Sequence, residues 1–459
     1  MPDSKRLINT NLEELASRRD PIYVTEGDTR GEFYRDYTRI LHSNAYRRLK
    51  HKTQVFYNID NDHVCTRMEH VQHVEAVSYS IAKGLGLDLE LTRAIACGHD
   101  LGHAPFGHYG ETVIDRIMEE NLSEEYKAKI RGTGADAEHL KSEQGEKTGL
   151  VSDHQSGISN SDAGGNTTKK LPPLFWHEKN GLRFVDHIEL LADPMGKRKN
   201  LDLTYAVRDG IVSHCGELDV NGLMPRDEMI DLNSYRIPGE YAPFTWEGCV
   251  VKIADKIAYL GRDIEDALTL DFLSEEGKVM LQNLGDLYGE SVVVNTTSIM
   301  HGMIRDICEN SSPECGITLS DKNYKLLCGI KKFNYDQIYH NPRFEVYKDY
   351  AELVLKSLFN TLAGEYDGEH TIGTLQNEYL RYYPKLTGGF IDWLVTYSDS
   401  SMIRANDNEL IKKTGNLQNE KIYSCLENKD LYIRAIIDYI SGMTDSYAIT
   451  MFNELISFT

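Results

Sequence analysis

No apolar run in the sequence approaches the roughly 18 consecutive residues that a membrane-spanning helix needs. The N-terminal stretch MPDSKRLINTNLEELASRRD also lacks the hydrophobic region of a secretory leader. A membrane protein is excluded on that pattern, and a cytoplasmic location is the expectation. No C-x-x-C pair occurs among the eight cysteines, so neither a thiolate zinc site nor a redox dithiol is indicated, and buried free thiols are expected. Basic charge is scarce: 50 Lys and Arg stand against 71 Asp and Glu, a formal net charge of −21, which argues against extended contact with a nucleic-acid backbone. A polyanionic ligand must then be met by a local basic cluster, and YRRLKHKTQ, Tyr46 to Gln54, is the densest. There is no internal repeat.

What is present is the balance of a globular protein, 41% hydrophobic and 26% charged over 459 residues. Helical periodicity dominates. EHVQHVEAVSYSIAKGLGL sets Val71, Val74, Val77, Ile81 and Leu85 at three- and four-residue steps, and EGCVVKIADKIAYLGRDIEDAL does the same with Val250, Ile253, Ile257 and Ile264. An all-α fold follows, with at most a small β hairpin, expected around VFYNIDNDHV, Val55 to Val64. The stretch Arg131 to Pro173, rich in Gly, Ser, Asn and Asp, reads as a loop or insertion, and Tyr235 to Phe244 as a second break. The economical organisation is one composite helical protein, with a core over 60–270 interrupted at 131–173 and a C-terminal helical portion over 271–459.

ACGHDLGHAPFGHYGE, Ala96 to Glu111, carries three His, an Asp and a Glu in an apolar, small-residue setting. On a helix His99 and His103 share a face, with Asp100 one step round. Imidazole with carboxylate suits a divalent transition ion such as Mn²⁺, Fe²⁺, Co²⁺ or Zn²⁺, whereas Mg²⁺ favours more oxygen. Two ligands are too few, and His70 and Asp255 are candidates for more. Asp255 lies among Val251, Ile253, Ala254 and Ile257, where a carboxylate needs a partner or a metal. Taken singly, either residue is more often a satisfied core group or an ion-pair member.

Order and context add to that. RMEH (Arg67 to His70), GHDLGHAPFGHYGE (Gly98 to Glu111), WHEKNGLR (Trp176 to Arg183) and VVKIADKIAYLGRDIEDA (Val250 to Ala267) together resemble the HD superfamily of metal-dependent phosphohydrolases, specifically its deoxynucleoside triphosphate triphosphohydrolase, or dGTPase-like, branch. RILHSNAYRRLKHKTQVF (Arg39 to Phe56) and YISGMTDSYA (Tyr439 to Ala448) are similar to that branch's upstream and C-terminal signatures. The resemblance implies a helical fold, one divalent metal ion held by His70, His99, Asp100 and Asp255, and hydrolysis of a dNTP at its α-phosphorus to deoxynucleoside and inorganic triphosphate. It departs in that Val71, Gln72 and His73 follow His70 where many members carry Ser and, two residues later, Glu; His73 is therefore taken as structural.

By position the resemblance makes His108 and Glu111 the catalytic His and acid, and places His103 and His177 in the same site, His103 on phosphate or in proton transfer. It puts Arg67 and Lys256 on phosphate. Tyr259 and Asp263 hold the sugar, the carboxylate on the 3′-hydroxyl and the ring where a ribose 2′-hydroxyl would fit, and Gln54 also meets the 3′-hydroxyl. Arg47 and Arg48 are expected in structural ion pairs. The partners implied are a dNTP substrate, further copies of the chain in a homo-oligomer such as a hexamer, and a dNTP or single-stranded DNA effector, with no membrane. The alternatives are another HD phosphohydrolase, a phosphodiesterase or 5′-nucleotidase, and a nucleotide- or single-stranded-DNA-sensing protein with secondary hydrolysis.

Overall fold

The computed structural model describes residues 7–9, 12–57, 61, 63–133, 171–215, 221–287, 296–399 and 414–457. Among these the only sheet is a two-stranded antiparallel hairpin, Leu190–Ala192 with Arg198–Asn200, and the architecture is otherwise helical. The hairpin does not fall where the sequence suggested. Val55 to Tyr57 form no strand, a single bridge pairs Thr53 with Thr66, and residues 58–60 and 62 of that segment lie outside the described residues.

Three helices build the centre. Arg67–Leu85 opens on a capping box, in which the Thr66 hydroxyl accepts from the Glu69 amide and Glu69 reaches back to the Thr66 amide, and it closes on Gly86 at φ 74°. Its stripe of Val71, Val74, Val77 and Ile81 is fully buried, roughly 1.5–3 kcal/mol of hydrophobic stabilisation per side chain. Leu89–Gly98 starts on Asp88, whose carboxylate accepts from the amides of Glu90 and Leu91. Trp246–Thr269, capped by Thr245, is buried around almost its whole circumference over its first three turns. A helix buried on nearly all sides belongs inside a helical bundle, and this one packs against both of the others.

Around this centre, Glu32–His42 and Tyr205–Ser213 flank Leu89–Gly98, while Lys429–Ser441 and Asp445–Ile456 pack on Glu345–Ala363 beside Gly107–Asn121. Most of the expected insertion, residues 134–170, lies outside the described residues. Its two flanks meet, because Arg131 Nε donates to the Pro172 carbonyl at 2.8 Å. Arg48 pairs with Glu189 at 2.7 Å, the structural ion pair expected of it.

Candidate active site

The helix expected to carry both His99 and His103 ends earlier, at Gly98, with His99 as its C-cap. Close approach of another backbone accounts for the turn that follows. A Cβ on Gly102 would stand 2.0 Å from the His177 carbonyl oxygen and 2.1 Å from the Gly181 amide, so the chain bends flat against the His177–Arg183 helix. His103 is thereby placed by a loop, and Phe106, fully buried, adopts a left-handed φ of 67° before the next helix, Gly107–Asn121, begins.

His70, from the Arg67–Leu85 helix, and Asp255, from Trp246–Thr269, converge on His99. His70 Nε2 is 3.0 Å from Asp255 Oδ1, and His99 Nε2 lies 3.4 Å from His70 Nε2 and 3.8 Å from Asp255 Oδ1. Asp100 borders the same point, 3.5 Å from His99 Nε2 and 3.7 Å from His70 Nε2. The Ala96 carbonyl, 2.7 Å from His99 Nδ1, can only accept, so Nδ1 carries the hydrogen and the Nε2 lone pair faces the cluster. Burial opposes charge on Asp255 and Asp100. The His70 hydrogen bond at Asp255, and His103, His99 and Arg67 around Asp100, overcome it and hold both carboxyls below their usual range. Burial also opposes charge on His70, yet Asp255 and Asp100 pull its pKa upward. Two carboxylates and two imidazoles aimed at one point are a donor set that a divalent cation fits.

A second group adjoins it through Asp100. His103 Nε2 is 3.0 Å from Asp100 Oδ1, and its Nδ1 approaches Glu111 Oε1 to 2.6 Å without the alignment of a hydrogen bond. His177 Nδ1 shares a hydrogen bond of 3.1 Å with Glu111 Oε2, and His108 Nδ1 stands 3.8 Å from that oxygen, its side chain largely exposed. The rings of His103 and His177 stack at 3.7 Å and 15°. One ligand atom from each of His103, His108, Glu111 and His177 lies within 4.8 Å of the others, and the hydrogen bond between His177 and Glu111 suits this set to proton exchange. Burial lowers the His177 pKa, but Glu111 and Glu178 outweigh it and bring it up to about 9. Glu111, despite burial, is held well below its usual range by His177 and His103. At neutral pH His177 and Glu111 are an ion pair.

The remaining predicted residues lie on the two helices that carry His70 and Asp255 and, for Gln54, on the segment before the first of them. Arg67 is buried, its Nη1 2.9 Å from Asp100 Oδ2 and its Nε without a partner. Lys256 is buried beside Asp255, and Tyr259 is half-buried one turn on. Asp263 is buried, with Oδ1 unpartnered and its carboxylate accepting from the Tyr339 hydroxyl, and Gln54 Oε1 is likewise buried and unpartnered. Burial raises the Asp263 carboxyl to about 7, against the lowering effect of Tyr339. The structure thus brings His70, His99, Asp100 and Asp255 together, sets His103, Glu111 and His177 beside them, and leaves His108 at the exposed edge.

Sequence reasoning missed Tyr339 and His214. His214 follows the Tyr205–Ser213 helix as His99 follows Leu89–Gly98, and its Nδ1 likewise bonds the carbonyl three residues back, Ile211, at 2.7 Å. Its ring stands edge-on to His99 at 5.0 Å. A His directly after a short apolar helix was the available signal. Tyr339 had none, since only the packing of a distant helix brings it to Asp263.

Residues 67–154 match the HD domain family, and residues 408–454 match the phosphohydrolase-associated domain. A deoxyguanosinetriphosphate triphosphohydrolase-like protein of Desulfatibacillum aliphaticivorans is 31% identical over 72% of this chain and 73% of its own length. Proteins of the same description from Caldanaerobacter subterraneus subsp. tengcongensis, 27% identical over 93% of this chain and 86% of theirs, and from Bartonella quintana, 28% identical over 96% and 94%, cover nearly all of it. No described helix is long and apolar enough to cross a membrane.

Proposed function

The chain belongs to the deoxyguanosinetriphosphate triphosphohydrolase-like family of HD-domain phosphohydrolases, and from that premise we propose that it hydrolyses a deoxynucleoside triphosphate to deoxynucleoside and inorganic triphosphate. The carrying observation is that Asp255 and Asp263 stand eight residues apart on one helix, roughly 12 Å along its axis, the first in the metal cluster and the second buried with a carboxylate oxygen unpartnered. One rigid element thereby sets the distance between a cation on the phosphate and an acceptor for a sugar hydroxyl.

His70, His99, Asp100 and Asp255 would hold the cation, which supplies Lewis-acid charge for the α-phosphate and acidifies water. Arg67 and Lys256 offset the triphosphate charge, which this acidic chain must do locally. Water adds to the α-phosphorus, the bond from phosphorus to the 5′-oxygen breaks, and that oxygen leaves with a proton. His108, beside Glu111 at the open edge, delivers that proton, while the Glu111–His177 pair fixes the charge next to it and His103 contacts phosphate. Gln54 and Asp263 receive the 3′-hydroxyl, and Tyr259 fills the space of a 2′-hydroxyl, disfavouring ribonucleotides.

Incubating the protein with each dNTP and NTP and with Mn²⁺ or Mg²⁺, then resolving products, tests the reading. Triphosphate and deoxynucleoside are expected. Monophosphate with pyrophosphate, stepwise loss of phosphate, or equal turnover of ribonucleotides overturns it. The homo-oligomer and the dNTP or single-stranded DNA effector belong to the same proposal, supported by family resemblance, and are read by light scattering and by adding a second dNTP or an oligonucleotide to the assay.

A further inference from the structure

The C-terminal turn that joins Lys429–Ser441 to Asp445–Ile456 is tied to two active-site segments by buried polar contacts. Asp445, itself buried, accepts with Oδ2 from the Thr53 amide at 3.1 Å and the Thr53 hydroxyl at 2.7 Å, and with Oδ1 from the Phe106 amide at 3.0 Å. Next to Thr53, the buried Lys52 Nζ donates to the carbonyls of His103 and of Ser441, the latter at 3.2 Å. One carboxylate and one lysine Nζ therefore bind the C-terminal turn, the 103–106 loop and the Lys52–Gln54 segment at a single junction.

Phe106 is the point of leverage. A non-glycine residue with left-handed φ is disfavoured and persists where its surroundings over-determine it. Here its ring is fully buried and its amide is captured by Asp445, and the conformation so fixed turns the chain from His103 into the helix that presents His108 and Glu111. On the other side of the same carboxylate, Thr53 precedes Gln54.

We propose that Asp445 is a positioning residue: its carboxylate, with Lys52, clamps the Gln54 segment to the His103–His108 loop and so sets the sugar side of the site against its proton-handling side. The phosphohydrolase-associated segment is then part of the active-site scaffold, although Asp445 touches neither metal ligand nor substrate. The kinetic consequence rests on the function proposed above, and the conformational one does not.

Asp445→Asn keeps the side chain's shape but turns an NH₂ toward one of the N–H groups it bound. The expected result is a fall in kcat on the order of a hundredfold, the scale of a misplaced catalytic group. KM for dNTP rises as the Gln54 segment loosens, Mn²⁺ content is unchanged, and by hydrogen–deuterium exchange the Phe106 amide loses protection while Arg67–Leu85 keeps it. Unchanged kcat, or unchanged Phe106 exchange, overturns the clamp. Should Asp445→Asn fail to fold, Thr53→Val removes one of the three bonds and must move kcat and Phe106 exchange the same way by a smaller factor, failing which the clamp falls. Exchange is read without substrate, so a wild-type chain that releases no triphosphate removes the proposed function and leaves the clamp to be judged by Phe106 alone.

Discussion

Two clusters of ionisable groups adjoin at Asp100, and they accommodate buried charge in opposite ways. His70, His99 and Asp255 bring ligand atoms within 4.8 Å of one another, with Asp100 bordering them, a set that a cation fits. Glu111 and His177 pair, proton against carboxylate, while burial pushes the pKa of His103, whose ring stacks on His177, down to about 3. The difference separates their chemistry: the first group stores a need for positive charge, and the second stores a proton that can move.

Loss of a ligand from the first cluster carries the largest expected effect. Asp255→Ala should abolish metal-dependent turnover, a loss beyond the 10- to 100-fold that second-shell changes typically cause in metal affinity or activity. It should also abolish the rise in melting temperature on adding Mn²⁺, worth about 2.7 kcal/mol at 100 times Kd in the wild type. Near-normal activity in this variant would place the fourth ligand elsewhere. Next comes Glu111→Gln in the second cluster. Turnover should fall by roughly 10² to 10⁴, the range of general acid–base contributions, with Mn²⁺ stabilisation intact. Loss of both in Glu111→Gln would merge the two clusters into one metal site.

Much of this division was legible in the sequence and some was not. Asp255 stood out because a carboxylate amid Val251, Ile253 and Ile257 has to be compensated, and His70 because it shares a helix with a strong apolar stripe. The grouping of His99 with His103 on one helical face was misread, because periodicity cannot register that Gly102 presses against the backbone of His177, 75 residues on. The junction at Asp445 was equally hidden. Its bonds to Phe106 and Thr53 span 339 and 392 residues, and a Thr-Asp pair reads locally as a helix cap, a role Thr444 does fill for Tyr447.

The Glu111–His177 pair gives the comparison a pH signature. The His177 pKa rises in the folded state from its ordinary 6.5 to about 9, so its stabilisation is whole below about 6.5 and fades as pH climbs through 9. Glu111 is shifted the other way, so its share is present above its ordinary 4.5 and is lost only in acid. Between pH 7 and 9.5 the wild type should therefore lose stability, by at most about 3 kcal/mol, and His177→Gln should show a flatter curve. Equal slopes in thermal melts of the two proteins would mean that the imidazolium is not paired.

The smallest effect belongs to His73, which separates a motif histidine from a site histidine. It lies three residues past His70 on the same helix, half-buried, with burial, Arg262 and His70 all depressing its pKa and its Nδ1 without a partner. His99 and His177 in this site have a carbonyl or a carboxylate aligning the ring, Ala96 and Glu111 respectively. His73 has neither at Nδ1, so Ala at this position removes only a partly buried ring. His73→Ala should keep turnover within about twofold and stability within about 1 kcal/mol. A tenfold loss of kcat with the melting temperature unchanged would instead move His73 into the site and make its departure from the family pattern a functional one.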